Sequence, residues 1–287
     1  MMEMLTGTKY GIESKAADGP VGTRHVVADE ETGRRLLADV VSPGEDEYLT
    51  AICRNALCTE GCTSDPAVAN VVQTGWLKDG RYLQVLDLSP DARRFAGKQA
   101  RLDESQFWIA AWSLVASLRH LHRRELVHGS IAPACVYEDG AGIKLAELWF
   151  MHTADGEPLY PGLSEYFPAS LPEFFQLYAS PEVLLGETPQ RESDIFSLGG
   201  VLFYLLTAEA PRDLALTRID RSSQGALAEA VIKPLVRLRP DLSDEAQGFV
   251  YAMLDRDPAE RPTAFLLQSI CVELGKQPTN EGEVLVR

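Results

Sequence analysis

Residues 193–207 read "SDIFSLGGVLFYLLT", apolar on almost every side of a helix. A helix of that kind has no face to give to water, so it must lie inside a lobe made of other helices. The same half of the chain supplies them. The stretch "DESQFWIAAWSLVASLRHLH" (103–122) sets Phe107, Ala111, Leu114, Val115, Leu118 and Leu121 on one face, with Asp103 or Ser105 as N-cap. Two more segments, "SDEAQGFVYAMLDRDP" (243–258) and "PTAFLLQSICVEL" (262–274), have helical spacing.

The first hundred residues read differently. "GTRHVVADEETGRRLLADVV" (22–41) gives two strand-like runs around "DEETG", and "VANVVQTGWLKDGRYLQVLDL" (68–88) repeats the pattern around "KDG". Between them, "EYLTAICRNAL" (47–57) carries Leu49, Ile52 and Leu57 at helical spacing. A strand-rich lobe over 1–88, a larger helical lobe over 89–275 and a polar, frayed tail over 276–287 together predict a two-lobed α+β chain.

The 287 residues are 45% hydrophobic with a formal charge of −15, a balance that disfavours nucleic acid and anionic membrane as partners. Acidity of this size also serves solubility alone. No run of about 18 apolar residues reads as a membrane span. The opening "MMEMLTGTKYGIESK" has no basic stretch followed by an apolar one, so no signal peptide is read, although a trimmed mature domain would look the same. Cys53, Cys58 and Cys62 lie at C-x4-C-x3-C, which is not a zinc spacing. In an exported protein two of the three are expected to be bridged, and in a reducing compartment all are free; Cys135 and Cys271, in apolar settings, are expected to be unpaired either way.

The remaining signal is in "LVHGSIAPACVYEDGAGIKLAELWF" (126–150). Read alone, it is a loop and a β-hairpin turning at Glu138-Asp139-Gly140. Yet His128-Gly129-Ser130 through Cys135 resembles the H-R-D-L-x-x-x-N catalytic loop of the protein-kinase superfamily. Glu147-Leu148-Trp149 stands at its D-F-G position, "YASPEVL" resembles the A-P-E segment, which ends in Glu182, and Asp194 and Arg261 fall at the family's large-lobe Asp and late Arg. The resemblance implies a kinase-like fold over both lobes.

Role by role, the same resemblance implies missing chemistry. Ser130 stands where a carboxylate should take the substrate proton, and a hydroxyl is no base at neutral pH. Cys135 offers sulfur where a hard cation wants oxygen, and Glu147 replaces the main metal-binding Asp as the one weak metal candidate. The glycine loop falls on 17–22, where Gly19 and Gly22 remain but Asp18 adds negative charge and Pro20 removes an N–H donor. Asp39 takes the place of the phosphate-holding lysine; Glu45 and Glu47 are candidates for the lysine's helix partner, but acid facing acid cannot make that ion pair. Losing the general base alone costs roughly 10²–10⁴ in rate. The chain is therefore expected to be a pseudokinase and no enzyme, with no cofactor, retaining structural roles for His128, Leu148, Glu182, Asp194 and Arg261. Without the arginine at Gly129, phosphate-read switching of the activation segment is not expected.

The degraded glycine loop and the segment "EYFPASLPEFFQLYASPEVL" are also similar to the rhoptry-kinase-like proteins of apicomplexan parasites, which include the bradyzoite pseudokinase. That family's secreted, inactive members act through protein contacts. Three readings follow: a scaffold or allosteric regulator of another protein, such as an active kinase; an atypical nucleotide-dependent transferase holding metal with Glu147, Asp139 or Asp18; or a secreted structural component. His120 and His122 read as ordinary helix residues.

Overall fold

The computed structural model describes residues 3–5, 8–18, 21–61, 68–95, 101–140, 142–166, 173–212 and 224–276. Gly19 and Pro20 of the expected glycine loop, Cys62, and the tail from 277 lie outside the described residues.

Strands β1 (Glu3–Met4), β2 (Tyr10–Asp18), β3 (Thr23–Asp29) and β4 (Arg35–Val41) precede helix α1 (Glu47–Leu57), and β5 (Val71–Trp76) and β6 (Tyr82–Leu86) follow it. They form one sheet in the order β1-β2-β3-β4-β6-β5, every pairing antiparallel. The β3–β4 turn is closed by Asp29, whose Oδ1 accepts the amides of Glu31 and Thr32 at 2.9 and 3.2 Å, and by Gly33 at φ +70°. Side chains alternate across the sheet. Val27, Leu36, Ala38, Val40, Leu83 and Val85 fill one face with Leu5, Tyr10 and Leu77. Val26, Leu37, Val41 and Leu86 belong to the core shared with the helical half. Arg24 and Asp39 are in step with this second set, so both point at the helices.

The helical half begins with β7 (Arg93–Arg94) and α2 (Glu104–Arg123), then β8 (Leu126–Val127), the hairpin β9 (Val136–Asp139) and β10 (Gly142–Leu145), and β11 (His152–Thr153). Helices α3 (Glu173–Gln176), α4 (Pro181–Leu184), α5 (Arg191–Thr207), α6 (Gln224–Glu229), α7 (Leu235–Leu238), α8 (Asp244–Met253) and α9 (Ala264–Glu273) complete it. Asp103 caps α2 in a capping box with Gln106. Ser243 and Thr263 cap α8 and α9 through their hydroxyls. Helix α5 is buried along nearly its whole length. Gly199 lets it approach α8, since a Cβ there would lie 2.8 Å from the Cβ of Met253. The two-lobed α+β architecture expected from the sequence is the one observed.

Cys53 is a free thiol buried on α1, and burial pushes its pKa up to about 12. Cys135 and Cys271 are likewise buried and free. Among the described residues no helix is long and apolar enough to cross a membrane.

Candidate functional site

Antiparallel register decides the first contact in the cleft between sheet and helices. Arg24 on β3 and Asp39 on β4 are direct cross-strand partners, placing their side chains together on one face. The guanidinium grips the carboxylate at both oxygens, Nε to Oδ1 at 2.8 Å and Nη2 to Oδ2 at 2.5 Å.

The helical half answers with Glu147. It follows β10 in the left-handed region at φ 66°, an uncommon conformation for a side chain of this size. Its Oε1 accepts from Arg24 Nη2 at 2.8 Å, Arg94 Nη2 at 3.2 Å and the Tyr137 hydroxyl at 2.6 Å. Its Oε2 accepts from Trp149 Nε1 at 2.9 Å. Arg94 and Tyr137 are again cross-strand partners, on β7 and β9. Arg94 Nε donates to the Tyr137 oxygen at 2.6 Å, and Arg24 Nη1 also reaches that oxygen. Both guanidiniums lie over the Tyr137 ring, at 5.2 and 5.4 Å.

Two carboxylates and two guanidiniums thus neutralise one another, with Asp39 and Glu147 fully buried and Arg24 3% exposed. Burial works to lower the Arg24 pKa, but the charges of Asp39 and Glu147 raise it well above its ordinary value. Burial lifts the Asp39 carboxyl, Arg24 opposes the rise and Glu147 adds to it. A cation arriving at Glu147 would meet two arginines already bound there. Asp139 and Asp18, the other candidate metal ligands, are elsewhere: Asp139 pairs with Lys144 at 2.9 Å and Asp18 with Lys15 at 2.8 Å. No group of three possible metal ligands occurs among the described residues.

Ser130 is buried and its hydroxyl has no hydrogen-bond partner among the described residues. The Cys135 thiol donates to the Ser130 carbonyl at 3.3 Å, and burial raises its pKa far above the range in which a thiolate could ligate metal. Gly22 lies against β4, where a Cβ would stand 2.6 Å from the Val40 carbonyl oxygen. Glu45 and Glu47, the candidates for the helix glutamate, are both exposed at the start of α1. The polar residue that α1 turns inward is Asn55. Its amide donates to the carbonyls of Trp149 and Met151 at 3.0 and 3.1 Å and accepts the Tyr160 amide at 2.7 Å. An isolated Asn within an apolar-patterned helix was the available sign, and it passed unread.

Below the cleft, Asp194 accepts the backbone amides of His128 and Gly129 at 2.8 and 3.0 Å. His122 Nε2 lies 3.0 Å from the same carboxylate, so this histidine, expected to be an ordinary helix residue, belongs to the loop's support. His128 Nε2 meets the Ala146 carbonyl at 2.9 Å, beside buried Leu148. Gly129 sits at φ +78°, where a Cβ would be 2.4 Å from the Phe150 carbonyl oxygen, so the position requires glycine. Arg261 and Glu182 form a two-pronged pair, Nη1 to Oε1 at 2.7 Å and Nη2 to Oε2 at 2.9 Å. Burial works to raise the Glu182 carboxyl, yet Arg261 holds it below its usual range.

Residues 69–271 match the family described as the protein kinase domain. The chain belongs to that family. It is 24% identical over 242 residues to mouse "Hormonally up-regulated neu tumor-associated kinase", covering 83% of this chain and 32% of the relative. It is 24% identical over 206 residues to "Protein kinase 2" of Dictyostelium discoideum, covering 70% and 39%. Against "Mitosis inducer protein kinase cdr2" of Schizosaccharomyces pombe it is 28% identical over 154 residues, 53% of this chain and 18% of the relative. The chain therefore spans between 18% and 39% of the length of these relatives. The expectation that the chain is no enzyme is corrected by these findings, since each relative is named a protein kinase.

Proposed function

We propose that this kinase domain works through contacts with another protein, as a scaffold or allosteric regulator, and does not hold Mg-nucleotide in the usual way. The observation that carries the reading is Glu147: its Oε1 takes Arg24, Arg94 and Tyr137 and its Oε2 takes Trp149. A nucleotide-bound metal needs oxygen ligands at this position. The carboxylate at Asp39 would repel the phosphates that a lysine there should hold. Arg24, from the sheet, and Glu147, from the helical half, tie the two lobes together instead. The likeness to rhoptry-kinase-like proteins supports the same reading, and by that likeness the protein is secreted. Adding Mg-ATP is expected to leave the melting temperature unchanged, whereas a ligand at about 100 times its Kd would add about 2.7 kcal/mol of stability. A concentration-dependent rise would overturn the reading.

The relatives' names favour a second reading, a phosphotransferase with rearranged ligands. It requires Glu147 to exchange its arginines for metal on binding nucleotide. Mg-dependent transfer of labelled γ-phosphate to a protein substrate, abolished in Glu147→Gln, would establish it.

A further inference from the structure

Away from the cleft, the end of α2 and the starts of α5 and α9 enclose a groove of about 750 Å³. Arg119 and Arg123 enter it from α2, Arg191 from the first turn of α5 and Phe265 from the first turn of α9, with Ile195 below. A chain of charge −15 has gathered cations here. Two of them are already committed, Arg191 to Glu125 and Arg261 to Glu182. Arg119 stacks its guanidinium over the Phe265 ring at 5.2 Å and gives one N–H to Gln268 at 2.5 Å, while its Nε is buried with no acceptor among the described residues. Among the described residues no carboxylate pairs with Arg119 or with exposed Arg123.

The groove is apolar as well as cationic. Phe265 is 63% exposed and the adjacent Leu266 49%, an unusual amount of hydrocarbon to leave in water on one helical turn. The N-terminal ends of α5 and α9 both open here, adding partial positive charge. Arg119 and Arg123 are separated by one helical turn, which two carboxylates on one face of a peptide can match.

We propose that this groove docks an acidic peptide segment of a partner protein, two of its carboxylates on Arg119 and Arg123 and one bulky apolar side chain against Phe265 and Ile195. Nucleic acid is a poor fit, because Glu125 and Glu192 share the rim and the chain as a whole repels polyanions. The proposal rests on the protein-contact reading for the class of partner. It fails separately, since Mg-ATP does not touch this face.

The test selects displayed random dodecapeptides on the whole chain and, in parallel, on an R119E/R123E variant of matched melting temperature. Peptides enriched on the wild type should combine acidic with aromatic or aliphatic residues. The strongest of them should bind the double variant about tenfold or more weakly by fluorescence anisotropy. Its wild-type affinity should fall as salt is raised, and a copy with Lys in place of Glu should recover binding to the variant. Phe265→Ala should weaken the same peptide. Should the double variant not fold, R123E alone serves, because that side chain is exposed. Enrichment of peptides without acids, equal binding by the arginine variants, or binding only of phosphorylated peptides would each overturn the proposal.

Discussion

Two buried ionic clusters can be compared among the described residues, and they are of different kinds. Glu182–Arg261 lies inside the helical half, and Arg261 also donates to the carbonyls of Asp255 and Glu192 at 2.8 and 2.9 Å. It joins elements that already share one core. Arg24–Asp39–Glu147 crosses from the sheet to the helices. There the interaction spans the space between the two lobes, where a kinase domain holds nucleotide. Buried pairs of the same chemistry can thus act as a frame in one place and as a clasp between lobes in another. The difference lies in which bodies they connect.

The comparison can be broken most directly at the frame. Arg261→Ala strands Glu182 in the interior and leaves several carbonyls unmet, so it should cost roughly 3–5 kcal/mol, a large share of the roughly 5–15 kcal/mol typical of a domain. Denaturant melts measure it, and a wild-type midpoint would show that the pair frames nothing. At the clasp, Arg24→Met alone should cost about 3 kcal/mol by leaving Asp39 uncompensated. R24M combined with Asp39→Leu should recover most of that loss, since Arg94 and Tyr137 still satisfy Glu147. Equal losses in the single and double variants would mean that the pairing is not what the single variant breaks.

Acid should loosen the helical half through His152. Burial holds its pKa down to about 4, against about 6.5 in an unfolded chain. As pH falls below about 6.5 the unfolded chain takes up the proton first, so the stability this residue contributes is full above that value and is lost by about pH 4. The loss should approach roughly 3 kcal/mol, read as a midpoint that falls with pH less steeply in His152→Asn. Buried His128, also lowered by burial, adds loss of the same sign. The smallest effect belongs to Ser130. Ser130→Ala removes a hydroxyl that bonds nothing, so it should shift stability by under about 1 kcal/mol. A larger destabilisation would reveal a partner for that hydroxyl.

Much of the architecture was legible in the sequence because its signals are local. Alternation and the "DEETG" turn marked β3 and β4, helical spacing marked α1, and Asp103, Ser243 and Thr263 cap their helices from within three residues of the amides they serve. The all-round apolarity of 193–207 required a helix buried in a lobe, and α5 is that helix. Loop spacing brought His128, Asp194, Glu182 and Arg261 into view from the family resemblance, although Glu182 and Arg261 are 79 residues apart.

The contents of the cleft were decided by tertiary structure. Nothing in "GTRHVV" or "DARRF" marks Arg24 or Arg94 for burial, because strand alternation tells which residues share a face but not what that face meets. Only when β7, β9 and the loop after β10 close against β3 and β4 do the two arginines meet Asp39, Glu147 and Tyr137, with Arg24 leaving water altogether. His122 and Asn55 were hidden for the same reason. A polar side chain on a helix becomes a buried hydrogen-bonding group only when another element, distant in sequence, supplies its partner. Local periodicity determines elements, whereas the pairing of buried polar groups depends on the register and docking of segments about a hundred residues apart, such as Asn55 and Trp149, 94 positions apart.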